Sequence, residues 1–209
     1  WTNDLLRGFV YFIKNTGTND KPAYDKPKLL SAANTQIDVF GMPSPCVADY
    51  DMDGDLDLIC GEFIDGFTYF ENIGSKEKPK FARGLRLQHE GKFIHMDLEM
   101  ITPTPIDWDA DGDIDLICGD EDGRVAFIEN SGGFNDKAPH FLPPVYFKQE
   151  AADVKCGALA APSGVDWDGD GDDDIVSGNT AGYIVYYENL SGPKVAQPKW
   201  AAPRNLDVD

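Results

Sequence analysis

Asp49-Tyr50-Asp51-Met52-Asp53-Gly54-Asp55-Leu56-Asp57 places five carboxylates at alternate positions within nine residues. The same D-x-D-x-D-G-D-x-D phrase returns at 107–115 and again at 166–174. Carboxylates this crowded repel one another unless a cation sits among their oxygens. From Asp49 to Asp107 is 58 residues and from Asp107 to Asp166 is 59, so the chain is built from a repeat of near-constant length.

The repetition extends past the loops. Each is followed by a short apolar run and a glycine: Leu58-Ile59-Cys60-Gly61, Leu116-Ile117-Cys118-Gly119 and Ile175-Val176-Ser177-Gly178. An aromatic run ending in Glu-Asn comes next, at Phe67–Asn72, Arg124–Asn130 and Tyr183–Asn189. A Pro-x-aromatic phrase follows: Pro79-Lys80-Phe81, Pro139-His140-Phe141 and Pro198-Lys199-Trp200. The start of the chain supplies a partial copy, with Gly8–Asn15 matching the aromatic run and Pro22-Ala23-Tyr24 the proline phrase. Short runs of Val, Ile, Phe and Tyr, bounded by Gly, Asn, Asp and Pro, predict an all-β chain. Segment 84–100 repeats least and predicts an insertion or a longer loop.

With 209 residues, 42% of them hydrophobic, the chain is long and apolar enough for a real core. A formal charge of −19 excludes a nucleic-acid partner, which needs Lys and Arg against its phosphates. No apolar run approaches the roughly 18 residues that span a bilayer, and no signal peptide is visible. Cys60 and Cys118 occupy a place held by Ser177 in the third unit, which predicts small buried residues rather than disulfide halves. No C-x-x-C is present, which argues against a zinc site.

The ion that suits these loops is calcium, a hard cation taking six to eight oxygens. Position 1 (Asp49, Asp107, Asp166), position 3 (Asp51, Asp109, Asp168) and position 5 (Asp53, Asp111, Asp170) turn carboxylates toward one point. Glycine at position 6 (Gly54, Gly112, Gly171) permits the sharp turn. Position 7 (Asp55, Asp113, Asp172) offers its backbone carbonyl, with its side chain expected to point into solvent. Position 9 (Asp57, Asp115, Asp174) closes the shell. About three ions are expected; they would bring the formal charge from −19 to −13. An EF-hand is excluded, because position 12 is Cys60, Cys118 or Ser177 rather than Glu and the flanks are strand-like.

A D-x-D-x-D-G-x-x-D loop followed by a strand, a glycine and an aromatic strand resembles the FG-GAP/VCBS repeat family, with copies at 49–74, 107–132 and 166–192. The resemblance implies calcium-stabilised β-propeller blades of four strands, as in the integrin α-subunit head. It divides the chain into a partial blade 1–44, blades 45–102, 103–161 and 162–200, and the start of another at 201–209. Inner strands would run from Pro45 to Asp49, Pro103 to Asp107 and Pro162 to Asp166, and the Pro-x-aromatic phrase would begin the outermost strand. About three and a half blades do not close a ring of four to eight. The rest of a seven- or eight-bladed propeller is therefore expected from the same or another chain.

Two functions fit such a scaffold. One is a non-catalytic module binding a polysaccharide or a protein ligand, in a secreted, periplasmic or cell-surface setting where calcium is plentiful. The other, implied by similar propellers, is a polysaccharide lyase of the rhamnogalacturonan-lyase type, or another glycan-degrading enzyme such as a glycoside hydrolase. A lyase needs a base and a cation for the uronate carboxylate; His89, Lys92 and His95, with Arg83 and Arg86 nearby, are the candidates. His140 matches Lys80 and Lys199 and predicts a surface strand residue. Tyr50, Trp108 and Trp167 share one place in the repeat, which predicts packing between units rather than sugar stacking.

Overall fold

The computed structural model describes residues 6–135, 138–150 and 152–207. It is all-β, with no helix among these residues, so none of them forms a helix long and apolar enough to cross a membrane. Three four-stranded antiparallel sheets follow one another along the chain. The first is built from Ser44–Ala48, Asp57–Gly61, Phe67–Phe70 and Leu85–Arg86. The second uses Thr102–Ile106, Asp115–Gly119, Val125–Ile128 and Val145–Tyr146. Ala161–Val165, Asp174–Gly178, Ile184–Tyr187 and Arg204–Asn205 make the third. Within each sheet the strands lie in chain order, and the acidic loop joins the first to the second. Among the described residues the sheets do not close into a ring.

The cores lie between sheets. The second strands of the first two sheets read as continuous apolar runs because both faces are covered. Strand periodicity sends alternate residues to opposite sides. In the second sheet Leu116, Cys118, Ala126 and Ile128 pack toward Ile59, Phe67 and Tyr69 of the first. Ile117, Val125 and Phe127 pack toward Ile175, Val185 and Tyr187 of the third. A third layer joins Leu58, Cys60 and Phe70 to Val10, Ile37 and Val39 of the N-terminal partial unit. Each fully buried Ile, Leu or Phe contributes about 1.5–3 kcal/mol, so the units are held mainly by their neighbours.

Glycine ends the second strands of the first two sheets for a steric reason. A Cβ on Gly61 would come within 2.9 Å of the Ile101 carbonyl, and one on Gly119 within 2.2 Å of the Ala160 carbonyl, where the next unit's chain crosses.

Three expectations change. First, the outermost strand is not opened by the Pro-x-aromatic phrase: Phe81 bridges back to Asn72 and Trp200 to Asn189, while the fourth strands come several residues later. Second, Arg204–Asn205 pairs with Val185 and Tyr186, so 201–207 completes the third sheet rather than starting another unit. Third, segment 84–100 is a regular part of the repeat. After its fourth strand it forms a tight hairpin, Gln88–His89 against Lys92–Phe93, matched by Ser31–Ala32 against Thr35–Gln36 and by Lys148–Gln149 against Ala152–Asp153. Both turn residues have positive φ, 48° and 67° at Ala33 and Asn34, 49° and 76° at Glu90 and Gly91, as a type I′ turn requires. The chain then returns to the start of the third strand, pairing Gly66 with His95 and Arg124 with Lys155.

Candidate metal centres

Each acidic loop is pinned at both ends by its position-9 aspartate. Asp57 accepts the Tyr50 N–H at 3.3 Å and the Asn72 N–H at 2.7 Å. Asp115 accepts Trp108 N–H at 2.9 Å and Asn130 N–H at 2.8 Å; Asp174 accepts Trp167 N–H at 3.2 Å and Asn189 N–H at 2.8 Å. All three are buried, and they tie the loop's start to the end of the third strand. The Asn of each Glu-Asn phrase continues the anchor: Asn72, Asn130 and Asn189 are buried and accept the N–H two residues on, at Gly74, Gly132 and Ser191. The Glu-Asn phrase alone does not mark these asparagines for this task. Asn15, in a partial unit with no acidic loop, makes the same bond to Gly17 at 2.9 Å, which marks the residue as a turn former in its own right.

Between those anchors the carboxylates converge. Asp49, Asp51 and Asp53 bring one oxygen each to within 4.8 Å of the others, as do Asp107, Asp109 and Asp115, and Asp166, Asp168 and Asp170. Each of the three groups could hold a metal ion. Gly54, Gly112 and Gly171 sit at φ of 97°, 103° and 97° with open space where a Cβ would lie, so their role is conformational. Position 4 is also left-handed, at Met52, Ala110 and Gly169, a requirement that the first two residue types conceal.

The expectation for position 7 fails in two loops. Asp113 and Asp172 are buried rather than solvated, and Asp55 is half-buried. One oxygen of each has no hydrogen-bond partner, and the same holds for one oxygen of Asp107 and one of Asp109. A buried carboxylate oxygen without a donor costs several kcal/mol when ionised. Burial accordingly raises Asp113 to about 6, reinforced by Asp111, Asp109 and Asp107, and raises Asp172 to about 6 and Asp115 to about 7. Asp57 rises to about 6 for the same reason, against the pull of the Asn72 amide. Orphaned oxygens, like-charge crowding and raised pKa values share one remedy, a cation at the centre of each loop. The donor set is all oxygen, which suits a hard cation.

The other candidates are placed as follows. All four cysteines are free and buried; Cys60 and Cys118 sit in fully buried second strands, and Ser177 is buried at the matching place in the third. Tyr50 and Trp108 are buried between sheets, whereas Trp167 is 52% exposed. The proposed lyase residues divide between two grooves. His89, Lys92 and His95 line one, and Arg83 and Arg86 the next, where Arg86 is tied to the buried Glu62 at 3.1 Å. His95 Nδ1 lies 3.5 Å from Asp65. His140 sits on the strand Ala138–Phe141 with its ring 5.2 Å from that of His89.

No family model and no curated protein matches this chain. Two solved chains do. One, from a structure of the Photorhabdus luminescens Tc holotoxin pore, is 13% identical with a TM-score of 0.47, over 96% of this chain and 11% of that one. This chain thus spans about a tenth of that protein's length, and so distant a likeness carries no inference about it.

Proposed function

We propose that this chain is a segment of a calcium-stabilised β-propeller of the FG-GAP/VCBS type, in which the ions hold the loops and the assembled sheets present a binding surface for a polysaccharide or protein ligand. The observation that carries the reading is the set of buried, partnerless carboxylate oxygens in all three loops. Calcium at the loop centre satisfies them; millimolar extracellular calcium keeps sites of this kind filled, which points to a secreted, periplasmic or cell-surface protein.

The way the sheets meet supports a radial arrangement. First strands of adjacent sheets touch, with the Thr102 hydroxyl donating to Ala160 O at 2.5 Å and the Thr104 hydroxyl to Pro162 O at 2.7 Å. The third sheet is dressed for a further neighbour. Trp167 is half exposed where Tyr50 and Trp108 are buried, and a Cβ on Gly178 would meet nothing where Gly61 and Gly119 meet the following unit. Further units, from the same polypeptide or another, would cover that face and complete the ring.

Calorimetric titration of the stripped protein tests the reading. Calcium should bind with a stoichiometry of three and displace magnesium, which dehydrates reluctantly and demands a stricter octahedron. Heat no larger than that of dilution would overturn it.

A further inference from the structure

One aromatic contact between units is made twice within the chain, and each half of it is left over once. The residue after the first loop aspartate meets the aromatic of the next unit's Pro-x-aromatic phrase. Tyr50 lies against Phe141, ring centroids 6.1 Å apart, and Trp108 against Trp200, 6.0 Å apart. Trp167 holds the first place in the third unit, and Tyr24 the second place in the N-terminal partial unit. Trp167 is 52% exposed and Tyr24 68%, whereas Tyr50, Trp108, Phe141 and Trp200 are all buried. The surfaces around the two rings follow suit. Tyr11 and Ile13 match Ala126 and Ile128, which pack against the preceding unit, yet both are about half exposed. On the third sheet Val176 matches Ile59 and Ile117, which are fully buried against the following unit, and Val176 is only half-buried.

Charge favours joining these two faces. Residues 7–28 hold five bases, Arg7, Lys14, Lys21, Lys26 and Lys28, against Asp20 and Asp25. Residues 156–193 hold six aspartates and Glu188 with no base, so a divalent ion in the third loop still leaves −5 there. Arg7 and Lys28 are held by Asp38 and Asp25, while Lys14, Lys21 and Lys26 enter no ion pair among the described residues. Opposite charges on complementary faces draw them together and fix which faces meet. Within the chain a lysine already crosses a junction of this kind. On the third unit's turn Lys194 Nζ donates to Ala110 O of the second acidic loop at 3.4 Å, and beside it the Trp108 indole N–H donates to Val195 O at 3.3 Å. The partial unit's turn, between Asn15 and Tyr24, carries Lys21.

We propose that the open face of the third sheet takes the partial unit of a second copy of this chain, Trp167 against Tyr24, and that two copies joined so at both ends close one ring. Three complete units and a partial one in each copy make about seven, within the four to eight that a ring takes. A head-to-tail contact closes when its rotation allows and otherwise runs on as a filament. Closure at two copies rests on the propeller reading; the contact itself rests on the repeat. Association follows mass action, so both faces stay open in dilute protein.

Sedimentation velocity of the chain in millimolar calcium, from about 1 to about 100 µM protein, tests this. The wild type should pass from monomer to a single dimeric species, and less readily at high salt. Trp167→Ser and Tyr24→Ser each remove one exposed ring; each should raise the dimer Kd at least about tenfold and leave the melting temperature of dilute protein nearly unchanged. Mixed one to one, the two variants should associate more tightly than either alone, because each supplies the face the other lacks. A monomer at every concentration would overturn the proposal and leave these faces to units of another polypeptide. A ladder of oligomers growing with concentration would overturn it too, as would a mixture no tighter than its components. The two readings fail differently. If the ring is wrong, the ladder appears while the mixture still gains; if the second copy is wrong, the chain stays monomeric although calcium still titrates three sites.

Discussion

Replacing Asp115 by asparagine should stabilise the ion-free protein at pH 8 and destabilise the calcium-loaded one. Asp115 is fully buried, and burial, opposed in part by the amides of Asn130 and Trp108, raises its pKa from 3.8 to about 7. A group with a raised folded-state pKa binds its proton more tightly when folded. Its stabilising contribution is complete below the unfolded value and is lost as pH climbs through the folded one. A rise of this size corresponds to about 4 kcal/mol against the ion-free fold at pH 8. Asparagine removes that penalty at nearly constant volume. Its single oxygen can accept only one of the two N–H groups with full effect, and leaving the other short costs about 1–3 kcal/mol. The balance is a gain of about 1–3 kcal/mol, equivalent to several degrees in melting temperature for a chain of this size. At pH 5 Asp115 is protonated when folded but ionised when unfolded, so the penalty shrinks to about 1.6 kcal/mol and is offset by the lost acceptor, leaving a change close to zero. With calcium bound the sign at pH 8 reverses, because the ion already balances the carboxylate. Weakening a site held at a hundredfold excess over its Kd forfeits up to about 2.7 kcal/mol. Thermal melts followed by circular dichroism, with EDTA at pH 5 and 8 and with millimolar calcium at pH 8, read all three outcomes. Shifts of the same sign and size in EDTA and in calcium at pH 8 would refute the assignment of Asp115 to a cation.

Gly112→Ala places a Cβ at φ 103° in open space, so it strains the backbone without a clash; it should cost about 1–3 kcal/mol and weaken one calcium site of three in a calorimetric titration. Ile117→Ala empties a fully buried position between the second and third sheets and should cost about 2–5 kcal/mol in chemical denaturation. Val176→Ala, the matching change on the third sheet's half-buried outer side, should cost less than half as much; an equal loss would mean that this face is already covered in solution.

The acidic loops, the second and third strands and the packing role of Tyr50 and Trp108 were legible in the sequence, and the three hairpins at 31–36, 88–93 and 148–153 were not. The difference lies in what each position demands. A loop that brings carboxylate oxygens to one point admits one chemistry at its alternate positions, so Asp recurs in all three copies and the register can be counted. The hairpins demand only an apolar residue of suitable bulk. Leu30, Leu87 and Phe147 occupy one position, with Ile37, Ile94 and Val154 donating back to them at 2.9–3.0 Å; Val39, Met96 and Cys156 close the set. Cores accept such exchanges when volume is kept, so the repeat survives in space while its letters change. The same tolerance hid the position-7 aspartates. Nothing in the spacing distinguishes a carboxylate that faces water from one folded under the loop, because burial there is set by the neighbouring turn: a Cβ on Gly132 would come within 3.1 Å of Asp113 Oδ2. A residue's duty is readable from sequence when chemistry constrains it and unreadable when only shape does.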